Sequence, residues 1–220
     1  MEFFLHCFLV FIIYSILGWI VEVIFNFIIE KKLINRGFLI GPVCPIYGFG
    51  AIIMMLYLTQ YKENILTVFI MGTVLCTILE YITSYIMEKI FKARWWDYTE
   101  LKFNINGRVC LYFSCLFGLG GVVTVCFINP IIINLINLIP HTVMLIVSSI
   151  LFVLFLLDII TSFNIINKVK LTAQNVAKDY TEEINKKVSE VLKNKIFQSR
   201  ILKAFPKFNF NFFNRQKNKK

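Results

Sequence analysis

Apolar residues along this chain neither alternate nor keep to one helical stripe; they run on for about one membrane thickness at a time. Five such runs stand out, at residues 3–29, 38–61, 65–91, 109–128 and 141–163. A helix needs ~20 apolar residues to cross ~30 Å of hydrocarbon, and its backbone polar groups must be satisfied internally. The pattern predicts an all-α fold, a polytopic membrane helical bundle of about five transmembrane helices. The first run lacks a basic leader and a small-residue cleavage site, so it reads as a retained span rather than a secretion signal. Residues 1–163 are expected to form the transmembrane bundle, with 141–163 as its fifth helix, and residues 164–220 a basic tail.

Beyond Phe163 the pattern changes. Val176, Tyr180, Ile184, Val188 and Val191 recur every three or four residues among Lys and Glu, which predicts an amphipathic helix. The closing FPKFNFNFFNRQKNKK interleaves aromatic and basic residues, and much of it is expected to be disordered in isolation. Composition agrees with the membrane reading. Hydrophobic residues make up 58% of the chain and the mean hydropathy is +0.71, which excludes an ordinary soluble protein. The formal net charge of +10 belongs to the tail, because residues 1–163 hold nine Lys/Arg against nine Asp/Glu. Anionic lipid headgroups suit such a tail better than nucleic acid, and simple retention on the positive-inside face also accounts for it. The basic loops at 30–37 and 92–108 alternate with turns that carry little or no net charge. The positive-inside rule then puts the N-terminus outside and the C-terminus in the cytoplasm of a cell membrane. Heavy use of Phe, Ile, Asn and Lys points to an AT-rich bacterial genome.

One run is interrupted. RGFLIGPVCPIYGFG, residues 36–50, places Gly37, Gly41, Pro42, Pro45, Gly48 and Gly50 where a membrane helix should begin. A shift of 58 residues aligns IVEVIFNFIIEKKLINR with ILEYITSYIMEKIFKAR, and GPVC then faces GRVC. The matches include Glu22 with Glu80, Glu30 with Glu88 and Arg36 with Arg94. The expected organisation is a tandem parallel two-helix repeat, with units at 3–61 and 65–128. Corresponding interrupted segments in two halves are a sequence pointer to a membrane binding site.

Glu22, Asn26 and Glu30 fall on one helical face, as do Glu80, Ser84 and Glu88. A charge near a helix centre costs about 2.5–3.5 kcal/mol on insertion scales, so Glu22 and Glu80 are expected to face the bundle interior. Arg36, Arg94 and Arg108 can lock these carboxylates in structural ion pairs. Alternatively, all five line a polar cavity open to the cytoplasm, with Asp97. The loop RWWDYTELKFNINGR offers Trp95, Trp96 and Tyr98 either as interfacial anchors or as ligand contacts. Asn104, Asn106 and Gly107 predict a tight turn back to the membrane. The six cysteines show no ligand spacing, and His6 and His141 lie near the outer ends, so no metal site, cofactor or catalytic residue is expected. Phosphate-loop, GxSxG and HExxH patterns are absent.

The stretches GWIVEVIF, RGFLIGPVCPIYGFG and RWWDYTELKFNINGRVCL, in that order, resemble the bacterial membrane proteins grouped as the putative ABC-transporter type IV family (CmpB-like permeases). The resemblance covers approximately residues 5–165 and leaves the tail out. It implies an integral membrane permease working with a separate ATPase subunit, and defines no substrate. Motif positions carried over are Glu22, Arg36, Gly37, Gly41, Pro42, Cys44, Pro45, Tyr47 and Gly48. In the second unit they are Glu80, Glu88, Arg94, Trp95, Trp96, Asp97, Tyr98, Asn106, Gly107 and Arg108. Thr99 stands where a Ser is expected.

The leading expectation is a permease component, substrate undefined, whose cavity is bounded by Glu22, Glu80, Arg36, Arg94, Asp97 and Arg108. Five spans would complete a translocation path only as a homo-oligomer or with other subunits. Two alternatives stay open. One is a membrane-embedded enzyme acting on lipid headgroups or lipid-linked substrates. The other is a non-catalytic scaffold.

Overall fold

The computed structural model describes residues 2–31, 35, 37–179 and 209–210. Four of its helices are long and apolar enough to cross a membrane, at Glu2–Ile28, Ile65–Phe91, Leu111–Asn137 and His141–Val169. The first lies within α1 (Glu2–Glu30). The second is α3 (Ile65–Phe91), started by the Asn64 side chain accepting the Thr67 N–H at 3.0 Å and ended by Lys92 in the left-handed region. Many large apolar side chains point outward, as they must where the surrounding solvent is lipid.

The expected full-length second helix is replaced by a broken one. Helix α2 (Pro45–Leu58) has only 14 residues, about 21 Å at 1.5 Å per residue, and residues 37–44 ahead of it are non-helical. Pro42 and Pro45 explain this, since each lacks an N–H and forces the preceding residue out of the helical region. Cys44, just before Pro45, is accordingly extended. The broken segment runs back along α1. Trp19 donates its indole N–H to Asn35 at 2.8 Å, and the Cys44 N–H reaches the Ser15 carbonyl at 2.9 Å. The chain therefore penetrates to the middle of α1 before helix resumes. Gly48 makes that approach possible, because a methyl group there would collide with Ser15 and the Phe11 backbone.

The fourth span is built from α4 (Leu111–Val123), a π-helical turn (Thr124–Ile128) and α5 (Asn129–Asn137). Sequence reading ends this span at Ile128 and treats 129–140 as a connection; the structure carries the helix on to Asn137. Pro130 has no N–H for the Cys126 carbonyl and would crowd it in regular α-helix. The wider π turn just ahead absorbs that mismatch. On α4, a methyl at Gly118 would meet Thr73 and Phe69 of α3, so this pair also packs backbone to backbone.

Helix α6 (His141–Asp179) has 39 residues and no break at Phe163, the expected boundary of the bundle. The rest of the predicted tail helix, from Tyr180, lies outside the described residues, and of the closing segment expected to be disordered only residues 209–210 are described. Asn209–Phe210 (β4) pairs antiparallel with Ala93–Arg94 (β1). Between α3 and α4 the chain makes a small hairpin, β2 (Asn104–Ile105) against β3 (Val109–Cys110). Asn106 and Gly107 at its tip have φ of 53° and 66°, left-handed backbone that Asn and Gly adopt readily, in a loop of residues 106–108. One apolar cluster of Leu9, Val10, Tyr14, Ala51, Ile132, Ile136 and Met144 ties α1, α2, α5 and α6 together.

Candidate functional site

Two glutamate–tyrosine pairs form the polar heart of the bundle. Tyr47, on the first turn of α2, donates its hydroxyl to Glu22 of α1 at 2.7 Å. Tyr98, in the loop after α3, donates to Glu80 Oε1 of α3 at 3.1 Å. The hairpin sets Tyr98 in place, because its backbone N–H bonds the Gly107 carbonyl at 2.8 Å and its ring stacks on Phe113 at 5.0 Å. The Tyr47 ring meets Phe117 edge-on at 6.5 Å. Phe113 and Phe117 are one turn apart, so both tyrosines lie against one face of α4. Both pairs therefore lie beside α4, each held by an aromatic contact to it.

Glu80 is 5% exposed. Among the described residues its Oε2 has no hydrogen-bond partner, an expensive arrangement for a carboxylate out of water. Burial, then the neighbouring Glu80 carboxylate, hold the Tyr98 phenol well above the ordinary tyrosine range, with smaller contributions from Cys110 and Glu22. Tyr98 thus remains a hydroxyl donor throughout the neutral range.

The arginines gather elsewhere. Glu88 Oε2 takes Arg108 at 2.6 Å and Arg94 at 3.3 Å, while Arg94 also lies 3.7 Å from Asp97. Arg108 reaches Ser84 Oγ at 3.3 Å and lies over the rings of Tyr81 and Tyr85. Trp96 fixes the same residue by donating its indole N–H to the Arg108 carbonyl at 2.9 Å. Of the six residues predicted to share a cavity, Glu22 and Glu80 each pair with a tyrosine beside α4, and Arg94 and Arg108 gather at Glu88, with Asp97 beside Arg94. Arg36 lies outside the described residues. Trp95, an anchor or ligand contact by sequence, is buried against Phe38 and Phe91.

Sequence reasoning missed Asp158 as a site residue. From α6 it accepts the Ile40 N–H at 2.9 Å on Oδ1 and the Gly41 N–H at 3.0 Å on Oδ2. Ser162 joins it, donating to Asp158 at 3.1 Å and accepting from Ile40 at 3.0 Å. This carboxylate satisfies the backbone groups that the Gly41–Pro42 break sets free, a requirement of any irregular backbone at membrane depth. A methyl group at Gly41 would lie 2.8 Å from Asp158 Oδ2. The signal was present in sequence as a lone acid within an apolar run.

Among the described residues no three His, Cys, Asp or Glu side chains group as metal ligands. His6 and His141 lie at the far end of the bundle, near Glu2. A groove of about 430 Å³ runs between Leu101–Phe103 and the Leu111, Cys115, Leu116 and Leu119 side of α4, and none of the acidic residues lines it.

Long apolar helices around a broken segment and an interior carboxylate cluster define a polytopic helical membrane protein. The chain belongs to the family described as "Putative ABC-transporter type IV", which matches residues 9–163. No curated protein and no solved structure matches it. The matched region takes in the bundle with both Glu–Tyr pairs and Asp158.

Proposed function

We propose that this chain is the permease component of an ABC transporter in the cell membrane, with its N-terminus outside and its C-terminus in the cytoplasm. Its substrate path passes the Glu22–Tyr47 and Glu80–Tyr98 pairs. The observation that carries the reading is Glu80, a carboxylate buried within a membrane-spanning helix with one oxygen unpartnered. Intramembrane ionisable groups that face the interior mark substrate or ion pathways. The broken segment beside Glu22 supports it, because discontinuous helices supply transporter sites with backbone groups and room to rearrange. Family membership supports coupling to a separate ATPase, and the basic 92–108 loop supports the orientation.

In this reading the two hairpins of the proposed repeat, 3–61 and 65–128, each bring one carboxylate to the pathway. The Glu88–Arg94–Arg108 cluster belongs to the framework that holds the hairpin loop, rather than to the pathway itself. A homo-oligomer or a partner subunit completes the translocation path, and the basic tail lies along anionic lipid.

The test is native purification followed by mass spectrometry of co-purifying proteins, then reconstitution of the complex. An ATPase subunit should co-purify. Glu22→Gln and Glu80→Gln should each lower the ATP hydrolysis of the complex by about tenfold or more, with folded yield maintained. Full activity in both variants at equal folded yield would reject the reading.

A further inference from the structure

The geometry points to a lipid site on the outer face of α4, where the groove beside Leu101–Phe103 takes one acyl chain of an anionic phospholipid and Lys102 takes its phosphate. The groove measures about 430 Å³, within the range of about 300–1,000 Å³ usual for ligand pockets. Lys102 is the one charged residue lining it, and the remaining walls are almost wholly apolar. Leu111, Cys115 and Leu119 line it at steps of four along α4, which makes them one stripe. Eight residues at 1.5 Å each give that stripe a length of about 12 Å. Helix α4 opens a membrane span at Leu111, and Lys102 belongs to the loop just ahead of it. The stripe therefore runs from the membrane boundary into the hydrocarbon, with the lysine on the boundary side.

Local structure holds the slot open. Phe103 is exposed at its lip with φ of 54°, a backbone region that bulky residues rarely adopt. Its carbonyl accepts the Leu111 N–H at 3.2 Å, which ties the lip to the first turn of α4. Asn104 steadies the same loop by donating to the Leu101 carbonyl at 2.7 Å and the Thr99 carbonyl at 3.3 Å. A lipid thus meets a preformed surface and orders little of the protein on binding. Leu111, Leu116 and Leu119 are exposed within the span, so an acyl chain is the occupant their surroundings supply. Charge selects the headgroup. Arg94 and Arg108 are engaged with Glu88 and Asp97, whereas Lys102 faces the groove, and basic side chains at the membrane boundary recognise anionic headgroups. The site is independent of whatever passes the Glu–Tyr pairs, so it stands or falls apart from the permease reading.

The test uses the full chain in detergent micelles stripped of phospholipid, titrated with dioleoylphosphatidylglycerol or dioleoylphosphatidylcholine. These probes share their acyl chains and differ in headgroup charge. Cys115 lies in the groove and reports its occupancy through the rate of N-ethylmaleimide labelling, read by peptide mass spectrometry; Cys126, outside the groove, is the internal control. At about ten times its half-saturating concentration, phosphatidylglycerol should slow Cys115 labelling about tenfold and leave Cys126 unchanged. Phosphatidylcholine should need a severalfold higher concentration for the same protection. Lys102→Gln, a change at an exposed loop position, should erase that difference, and native mass spectrometry should show one firmly held phosphatidylglycerol in the wild type alone. Equal potency of the two lipids, a preference that survives Lys102→Gln, or equal slowing at both cysteines would overturn the inference. Protection that grows with protein concentration in the absence of lipid would assign the groove to a second copy of the chain and overturn it too.

Discussion

Among the described residues, Tyr98 supplies the one hydrogen bond to the Glu80 carboxylate, so its hydroxyl rather than its ring is what the site needs. Tyr98→Phe keeps the stacking on Phe113 and should cost about 1–3 kcal/mol of stability by leaving a buried acceptor unsatisfied. Denaturant unfolding in micelles measures this. The pH dependence has a definite sign. The folded state holds the Tyr98 proton more tightly than the unfolded chain, so its contribution is fully present below the unfolded value of about 10 and fades as pH rises above it. The Tyr98 hydroxyl's part of the gap between wild type and Tyr98→Phe should therefore narrow as pH rises above about 10. At this scale the carboxylates were legible in sequence, because acidic residues within apolar runs need a reason to be there. Their partners were not. Tyr47 and Tyr98 fit a membrane protein equally well as interfacial aromatics, and nothing local tells a tyrosine which carboxylate it will meet. Asp158 was visible, but its partners are peptide N–H groups, which a sequence does not mark.

Among elements, the broken segment and α6 act together. Asp158 holds Ile40 and Gly41, and Cys44 follows three residues later on Ser15. Asp158→Ala should loosen this segment and raise the maleimide labelling rate of Cys44 by about tenfold, as expected when a local opening becomes easier by about 1.4 kcal/mol. Cys126, on the distant π turn, serves as the internal control in the same peptide maps. An unchanged Cys44 rate would mean that Asp158 is not what holds the break. Packing of α2 on α1 makes a separate prediction. Gly48→Val overfills a contact with the Phe11 backbone and should destabilise the fold by about 1–3 kcal/mol in thermal unfolding. The Asn106–Gly107 turn could be read directly, since that dipeptide suits the left-handed backbone of a hairpin tip. The extension of the fourth span through Pro130 could not. A proline ordinarily ends a helix, and only the tertiary structure shows a π turn taking up the misfit.

For the whole molecule, apolar runs foretold a membrane bundle because hydrocarbon leaves the backbone few alternatives. The number of long helices did not follow, since the second run is apolar enough to lie in a membrane yet broken by its prolines. The bundle also separates two uses of charge. Around Glu88, the guanidiniums of Arg94 and Arg108 and the carboxylates of Glu88 and Asp97 balance in charge and pin the hairpin loop to α3. Glu88→Gln should cost about 1–3 kcal/mol, less than a fully buried pair because the group keeps some solvent contact. Glu22 and Glu80 each take a tyrosine hydroxyl beside α4, and interaction between these two residues is the central claim. A double-mutant cycle with Glu22→Gln, Glu80→Gln and the double variant, read as unfolding free energy in micelles, measures their interaction without knowledge of any substrate. The account predicts a coupling energy above about 1 kcal/mol; effects that add to within about 0.3–0.5 kcal/mol would show two independent residues and contradict it.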